Sequence, residues 1–348
     1  MKRTGHLGTS LLLLFALVVL ALPGFAQDKP KQAKTRPEYD AYIAFYNEKD
    51  PAKKAPLGEK FIADFKESDY LPDAYTGVIT AYTATKTWAK VIETAEKAVA
   101  LPGADNKLKG VAYINAMAAA QNMNEVDKVV SYGEKVLSIN PDDLNALLTL
   151  SQVIPLKLPN DEAAKKAALD KADGYASKAL AGVQGMSAKA DAATKAQLTP
   201  IEGNLYATKG LIAYNRSDWN KSITEYDEAV KRTPKDDLAH FYLALDYQAL
   251  GVQAFKDYKT ALDQENDLKA KKAEQPLIDE AAAKRAGLED EIKKFQDKAI
   301  DEFAIATALG GPYASQAKDA LTKMWSTKNG DTNGLDAFIA QKKQQISQ

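Results

Sequence analysis

Few side chains in this sequence could do covalent or metal chemistry. The 348 residues include no cysteine and two histidines, His6 and His240. A zinc site built on so few imidazoles would have to be completed by carboxylates, which is unusual. A Ser-His-Asp triad would need a histidine beside a nucleophile elbow, and no G-x-S-x-G occurs. Ser315-Gln316-Ala317-Lys318 fits the S-x-x-K nucleophile pattern, but neither S-D-N nor K-T-G accompanies it. Asn329, Asp331, Asn333 and Gly334 echo the opening of a calcium loop, yet Ala340 stands where a bidentate glutamate is required. That loop reads better as a polar turn before the last helix. Glu289-Asp290-Glu291 lies on a lysine-rich stretch and reads as solvated i,i+4 partners. No Walker loop or G-x-G-x-x-G is present. The sequence predicts no catalytic residues, no metal and no cofactor.

The elements around these residues are helical. Hydrophobic residues at 45% and charged residues at 27% are ordinary for a folded soluble chain. Ala, Lys, Asp and Leu dominate, and no run alternates Val, Ile, Thr or aromatics as a strand would. The class is all-α. At the N-terminus, Lys2 and Arg3 precede an apolar run over 11–22, followed by Pro23-Gly24-Phe25-Ala26. This is the pattern of a secretory signal peptide over 1–26, cut after Ala26. The run is too short to span a bilayer, so no stable membrane insertion is expected after cleavage. Cleavage removes Lys2 and Arg3 and takes the net charge from −1 to −3, which gives no reason to expect nucleic acid as a partner. An exported, periplasmic or secreted bacterial protein without disulfides is expected.

Residues 27–36 are polar and read as a flexible leader. Helix pairs then recur: 37–47 with 56–66, 72–83 with 88–100, 108–121 with 126–139, and 144–154 with 161–180. Pro141-Asp142-Asp143 and Pro234-Lys235-Asp236-Asp237 punctuate two junctions in the same way. Proline ends one helix, and aspartate accepts from the free N–H groups of the next. An Ala/Lys-rich connection with some helical character is expected up to Pro200. Residues 238–250 form a further helix. An insertion, 253–296, is expected to project as a charged helical hairpin, because Leu288, Ile292, Phe295, Ala299 and Phe303 recur at helical spacing. Domain boundaries are therefore placed at 37–200 and 201–325, with a turn and capping helix over 326–348.

Over 204–251 the residues Tyr206, Gly210, Tyr214, Trp219, Ser222, Tyr226, Ala229 and Pro234 follow an aromatic and small-residue order. Tyr75, Tyr82, Trp88, Ala95 and Ala98 repeat it. This pattern resembles the tetratricopeptide repeat (TPR) family, a helix-turn-helix unit of about 34 residues. The resemblance covers most of 37–325 and is sharpest over 72–150 and 201–251. Lys209 stands where the family has Leu, Ala213 where it has Tyr, and Ser222 where it has Ala. It implies an α-solenoid of stacked antiparallel helix pairs whose first helices line a concave groove. Carried over by position, the groove candidates are Asn145, Leu148 and Gln152; Asn204, Leu211, Tyr214 and Asn215; and Phe241, Leu245 and Gln248. His240 falls in a slot for a bulky packing side chain.

Amides beside apolar groups suit an extended peptide or helix, and the lysine set that clamps a C-terminal carboxylate in some family members is missing. The resemblance thus implies a non-enzymatic protein that binds another polypeptide, as scaffold, adaptor or chaperone-like factor in the cell envelope. The alternative is a small-molecule or glycan binder, motivated by 16 Tyr and 3 Trp.

Overall fold

Helix starts in this chain are set by short oxygen-bearing side chains. Thr35, Asp50, Asp105, Asp143, Asp191, Asp218 and Asp236 each accept from a first-turn N–H of the helix that follows. Each satisfies one donor that the helix itself cannot. The computed structural model describes residues 31–347. The expected signal peptide, 1–26, lies outside them. Among the described residues every regular element is helical. Two compact units part between Ala168 and Leu169.

In the N-terminal unit, α1 (Arg36–Asn47), α2 (Pro51–Asp64), α3 (Leu71–Ala84), α4 (Trp88–Val99), α5 (Asn106–Asn122), α6 (Val126–Ile139) and α7 (Leu144–Val153) follow in order. Each packs on its chain neighbour, and α3 also packs on α5, two helices on. Contact to the next and the next-but-one helix is what a repeat stack requires, since one pair cannot bury its own apolar face. Ile79, Val91, Ala98, Ala112, Ala116, Val129 and Ala146 form its main core. Phe45, Phe61, Ala74 and Val78 form a second core under α1.

A helix α8 (Glu162–Lys189) spans the boundary between the units. The C-terminal unit continues with α9 (Ala192–Asn215), α10 (Trp219–Arg232), α11 (Asp237–Ala270), α12 (Gln275–Leu309), α13 (Ala314–Asn329) and α14 (Leu335–Ser347). Here α9 packs on both α10 and α11, and α12 packs on both α13 and α14.

One turn recurs throughout. Among the described residues, Lys86, Asn124, Ser217 and Lys272 are the non-glycine residues with positive φ, between 54° and 59°. They sit between α3 and α4, α5 and α6, α9 and α10, and α11 and α12. In each, the next residue donates its N–H five residues back: Thr87 to Tyr82, Glu125 to Ala120, Asp218 to Ala213 and Ala273 to Leu268. This left-handed helix end closes orphan carbonyls and reverses the chain. The architecture is therefore an all-α, TPR-like stack of antiparallel helix pairs.

Two expectations are revised and one is met. Residues 31–35 of the flexible leader are tied down: Lys31 pairs with Asp73 at 2.7 Å, and the Lys34 N–H donates to Glu38 at 2.6 Å. The connection expected up to Pro200 is helix except for a short break, because Asp191 caps α9 and Pro200 is accommodated inside it. The insertion 253–296 forms the helical hairpin expected for it. It is the joint lengthening of α11 and α12, closed by the same turn as the short pairs.

That lengthened pair has a coiled-coil seam. Tyr247, Gly251, Ala254, Tyr258, Ala261, Glu265 and Leu268 on α11 alternate by four and three. So do Ile278, Ala281, Arg285, Leu288, Ile292, Phe295 and Ala299 on α12. Tyr247 stacks on Phe295, and buried Glu265 pairs with Arg285 at 2.7 Å.

The tight approaches need small residues. A Cβ on Gly210 would lie 2.8 Å from the Tyr226 ring. Gly210→Ala is therefore expected to cost about 1–3 kcal/mol by overpacking. Lys86→Gly, which relieves a left-handed backbone, should instead stabilise by about 0.5–1 kcal/mol. Urea unfolding of the two variants against the wild type checks both signs.

Candidate functional site

On the C-terminal unit, three tyrosines from successive first helices make a chain of ring contacts. Tyr214 of α9 meets Tyr242 of α11 edge-on at 4.9 Å, and Tyr242 meets Tyr313, at the start of α13, at 6.2 Å. All three are half-buried. Tyr242 also lies nearly parallel to fully buried Tyr226 of α10, at 5.8 Å. Burial pushes the Tyr242 and Tyr313 phenols up, so both stay neutral. Leu211 and Leu245 are half-buried against the same cores as Tyr242, Asn215 follows Tyr214 on α9, and Gln248 is exposed on α11.

The ten sequence-derived candidates divide between the units. Asn145 is exposed, Gln152 half-exposed and Leu148 buried, all on α7 of the N-terminal unit. The other seven lie on α9 and α11. Gln248 is exposed, and Asn204, Leu211, Tyr214, Asn215 and Leu245 are half-buried. Asn215 donates its side-chain amide to the Leu211 carbonyl at 2.9 Å. Two of the ten do not line a surface. Phe241 is enclosed by Phe303 of α12 and by Tyr313, on which it stacks at 5.0 Å. Leu148 is likewise inside the packing, 7% exposed. The ring of α11 that joins the ladder is the neighbouring Tyr242, which sequence reasoning passed over. Tyr214 lies in the last turn of α9, whereas Tyr242 and Tyr313 lie near the N-terminal ends of α11 and α13, so no shared position along the helices announced them.

The places where the chain departs from the family pattern are answered within this unit. Lys209, 13% exposed at its side chain, reaches Asp173 at 3.2 Å and Glu225 at 3.7 Å. Ser222 is fully buried and donates to the Gly210 carbonyl at 3.0 Å. Arg216 bonds Asp170 at 2.7 Å and Asp173 at 2.9 Å, so α8 is fastened to the ladder helix α9. Burial pulls the Asp173 carboxyl up, but Arg216 and Lys209 outweigh it and hold it below its ordinary value.

The sequence's chemical decoys resolve as structure. Asp331 accepts from the Asn333 N–H at 2.8 Å, and the Asn333 carbonyl accepts from the Trp325 indole at 3.1 Å, which makes this loop a self-bonded turn. Ser315 and Lys318 are exposed on α13. His240 is buried in α11 between Glu302 and the Pro234 carbonyl. Among the described residues no cluster of three or more His, Cys, Asp or Glu could hold a metal. No described helix is long and apolar enough to cross a membrane.

No family model and no curated protein matches this chain. Among solved structures it is similar to a tetratricopeptide repeat protein from Parabacteroides merdae, at 12% identity and a TM-score of 0.42, over 83% of this chain and 99% of that one. The helix pairs and recurring turns of this chain carry the fold assignment on their own.

Asp173→Asn removes the carboxylate that α8 offers to Arg216 and Lys209. It should lower stability by about 1.5–3 kcal/mol, the usual worth of hydrogen bonds to charged groups. Thermal unfolding at neutral pH measures it.

Proposed function

We propose that the chain is a non-enzymatic, exported binding protein that holds another polypeptide against the first-helix face of its C-terminal unit. The observation that carries this is the Tyr214–Tyr242–Tyr313 ladder, with Leu245 packed on the same core as Tyr242 and Tyr313 and the amides Asn215 and Gln248 on the helices that bear it. Half-buried tyrosines offer apolar area with little entropy to lose, and amides beside them can bond a peptide backbone. A glycan would need open ring faces to stack on. Here the Tyr242 face lies against Tyr226, and the Tyr313 face against Phe241, so the polypeptide reading is favoured.

A photo-crosslinking residue at exposed Gln248 tests the reading in cells that make the protein. It is expected to trap a defined polypeptide, and the same residue at exposed Lys231 on α10 is not. Equal trapping from both positions, or none from Gln248, would overturn it. The export reading rests on the residue pattern of 1–26. The protein recovered from the periplasm or medium should begin at Gln27 by N-terminal sequencing; a chain that keeps residues 1–26 would contradict it.

A further inference from the structure

Two titratable side chains of α11 are buried in ways that depend on their protons. His240 is 7% exposed, with Nδ1 2.5 Å from a Glu302 carboxylate oxygen of α12 and Nε2 3.1 Å from the Pro234 carbonyl. Both neighbours are acceptors. A neutral imidazole has one N–H and can serve only one of them, whereas the imidazolium donates to both. Six residues on, Asp246 is fully buried, and neither carboxylate oxygen has a hydrogen-bond partner. Ionised, it would be an unpaired charge inside the stack, which is costly.

The surroundings leave these two groups without relief. Asp246 faces Ser222 and the unpartnered Tyr226 hydroxyl from α10. Ser222 gives its proton to the Gly210 carbonyl of α9. On α11 itself Tyr247 is adjacent, and Lys298 of α12 turns to the Tyr247 hydroxyl at 3.3 Å. Around His240 stand Glu302, Asp236 and Asp237, with Asp227 of α10 also near Glu302. Lys298 and Lys231 face Asp227 and partly offset it.

We propose that α11 is a proton-dependent clasp: α10, α11 and α12 close fully when His240 carries both ring protons and Asp246 its carboxyl proton, and they loosen as the pH rises. The titration directions agree. Burial raises Asp246 from 3.8 to about 7, against a smaller opposing pull from Ser222. Burial lowers His240, but Glu302 and the Pro234 carbonyl outweigh it, for a net rise above 6.5. Asp227 and Asp236 are also raised, first by burial.

Both folded-state values lie above the unfolded ones, so folding takes up protons. The Asp246 contribution is complete below 3.8 and is lost as pH climbs towards about 7. The His240 contribution is complete below 6.5 and is lost through its raised folded value.

Peptide-resolved hydrogen exchange on the full chain at about pH 5 and about pH 8, corrected for intrinsic exchange rates, reads the clasp directly. Protection of α11 peptides over 237–250 should fall by at least about tenfold, and by up to about a thousandfold, at the higher pH. In Asp246→Asn most of that fall should vanish. The His240 ring, assigned by its loss in His240→Gln, should titrate above 6.5 in the wild type by NMR. Protection that is unchanged or greater at about pH 8, or a His240 midpoint at or below 6.5, overturns the proposal. An undiminished fall in Asp246→Asn overturns the part assigned to Asp246. Should that variant fail to fold, the two wild-type measurements still decide.

Discussion

The contact of a large side chain with a glycine on the facing helix is the constraint on which this stack depends. Tyr226 lies on the bare backbone of Gly210, and this lets α9 and α10 approach closely enough for Ser222 to reach the Gly210 carbonyl. Leu150 lies on Gly133 in the same way, and Phe45 on Gly58 and Gly77. Close approach buries the ring on both sides and multiplies weak dispersion contacts. Tyr226 in turn lies nearly parallel to Tyr242 of α11, so the ladder of Tyr214, Tyr242 and Tyr313 rests on the ring that Gly210 admits. The aromatic ladder and the small residue in the interior are parts of one packing arrangement.

The C-terminal unit adds polar locks to this packing. Lys209, Ser222, His240 and Asp246 all stand at packed positions, and the first three find partners on neighbouring elements. An apolar interface can slide without losing much. A slip of one helical turn, about 5.4 Å, would carry His240 away from Glu302 and Lys209 away from Asp173. The locks therefore define the register, and the residues that define it carry charge.

Short helices were legible in the sequence because their ends are written in proline and aspartate. Val126–Ile139 and the junctions at Pro141 and Pro234 read directly from those signals. Longer helices hid behind false punctuation. Gly182, Gly185 and Pro200 look like breakers, but a helix interior tolerates such residues when its packed face survives. Pro56 looked like a helix start, yet Asp50 caps that helix one and a half turns earlier. The site was harder to read. One step along a helix turns a side chain by about 100°, so whether Phe241 or Tyr242 is the ring that joins the ladder depends on where α13 lies. The partner of His240 is 62 residues away in sequence, on the far arm of the long hairpin, and no local pattern announces it.

The shared turn at Lys86, Asn124, Ser217 and Lys272 has a consequence for how such an arm can change length. Because the α11–α12 turn is the one used by the short pairs, the reversal is indifferent to how many residues precede it. What is not indifferent is the seam. Glu265 must meet Arg285, and Tyr247 must meet Phe295. Seven residues added within α11 alone would put every partner on the turn side of them out of step, whereas seven added to each helix near the turn would leave all of them matched. Such an arm keeps its seam only when it is lengthened or shortened by paired steps, so its reach is counted in heptads.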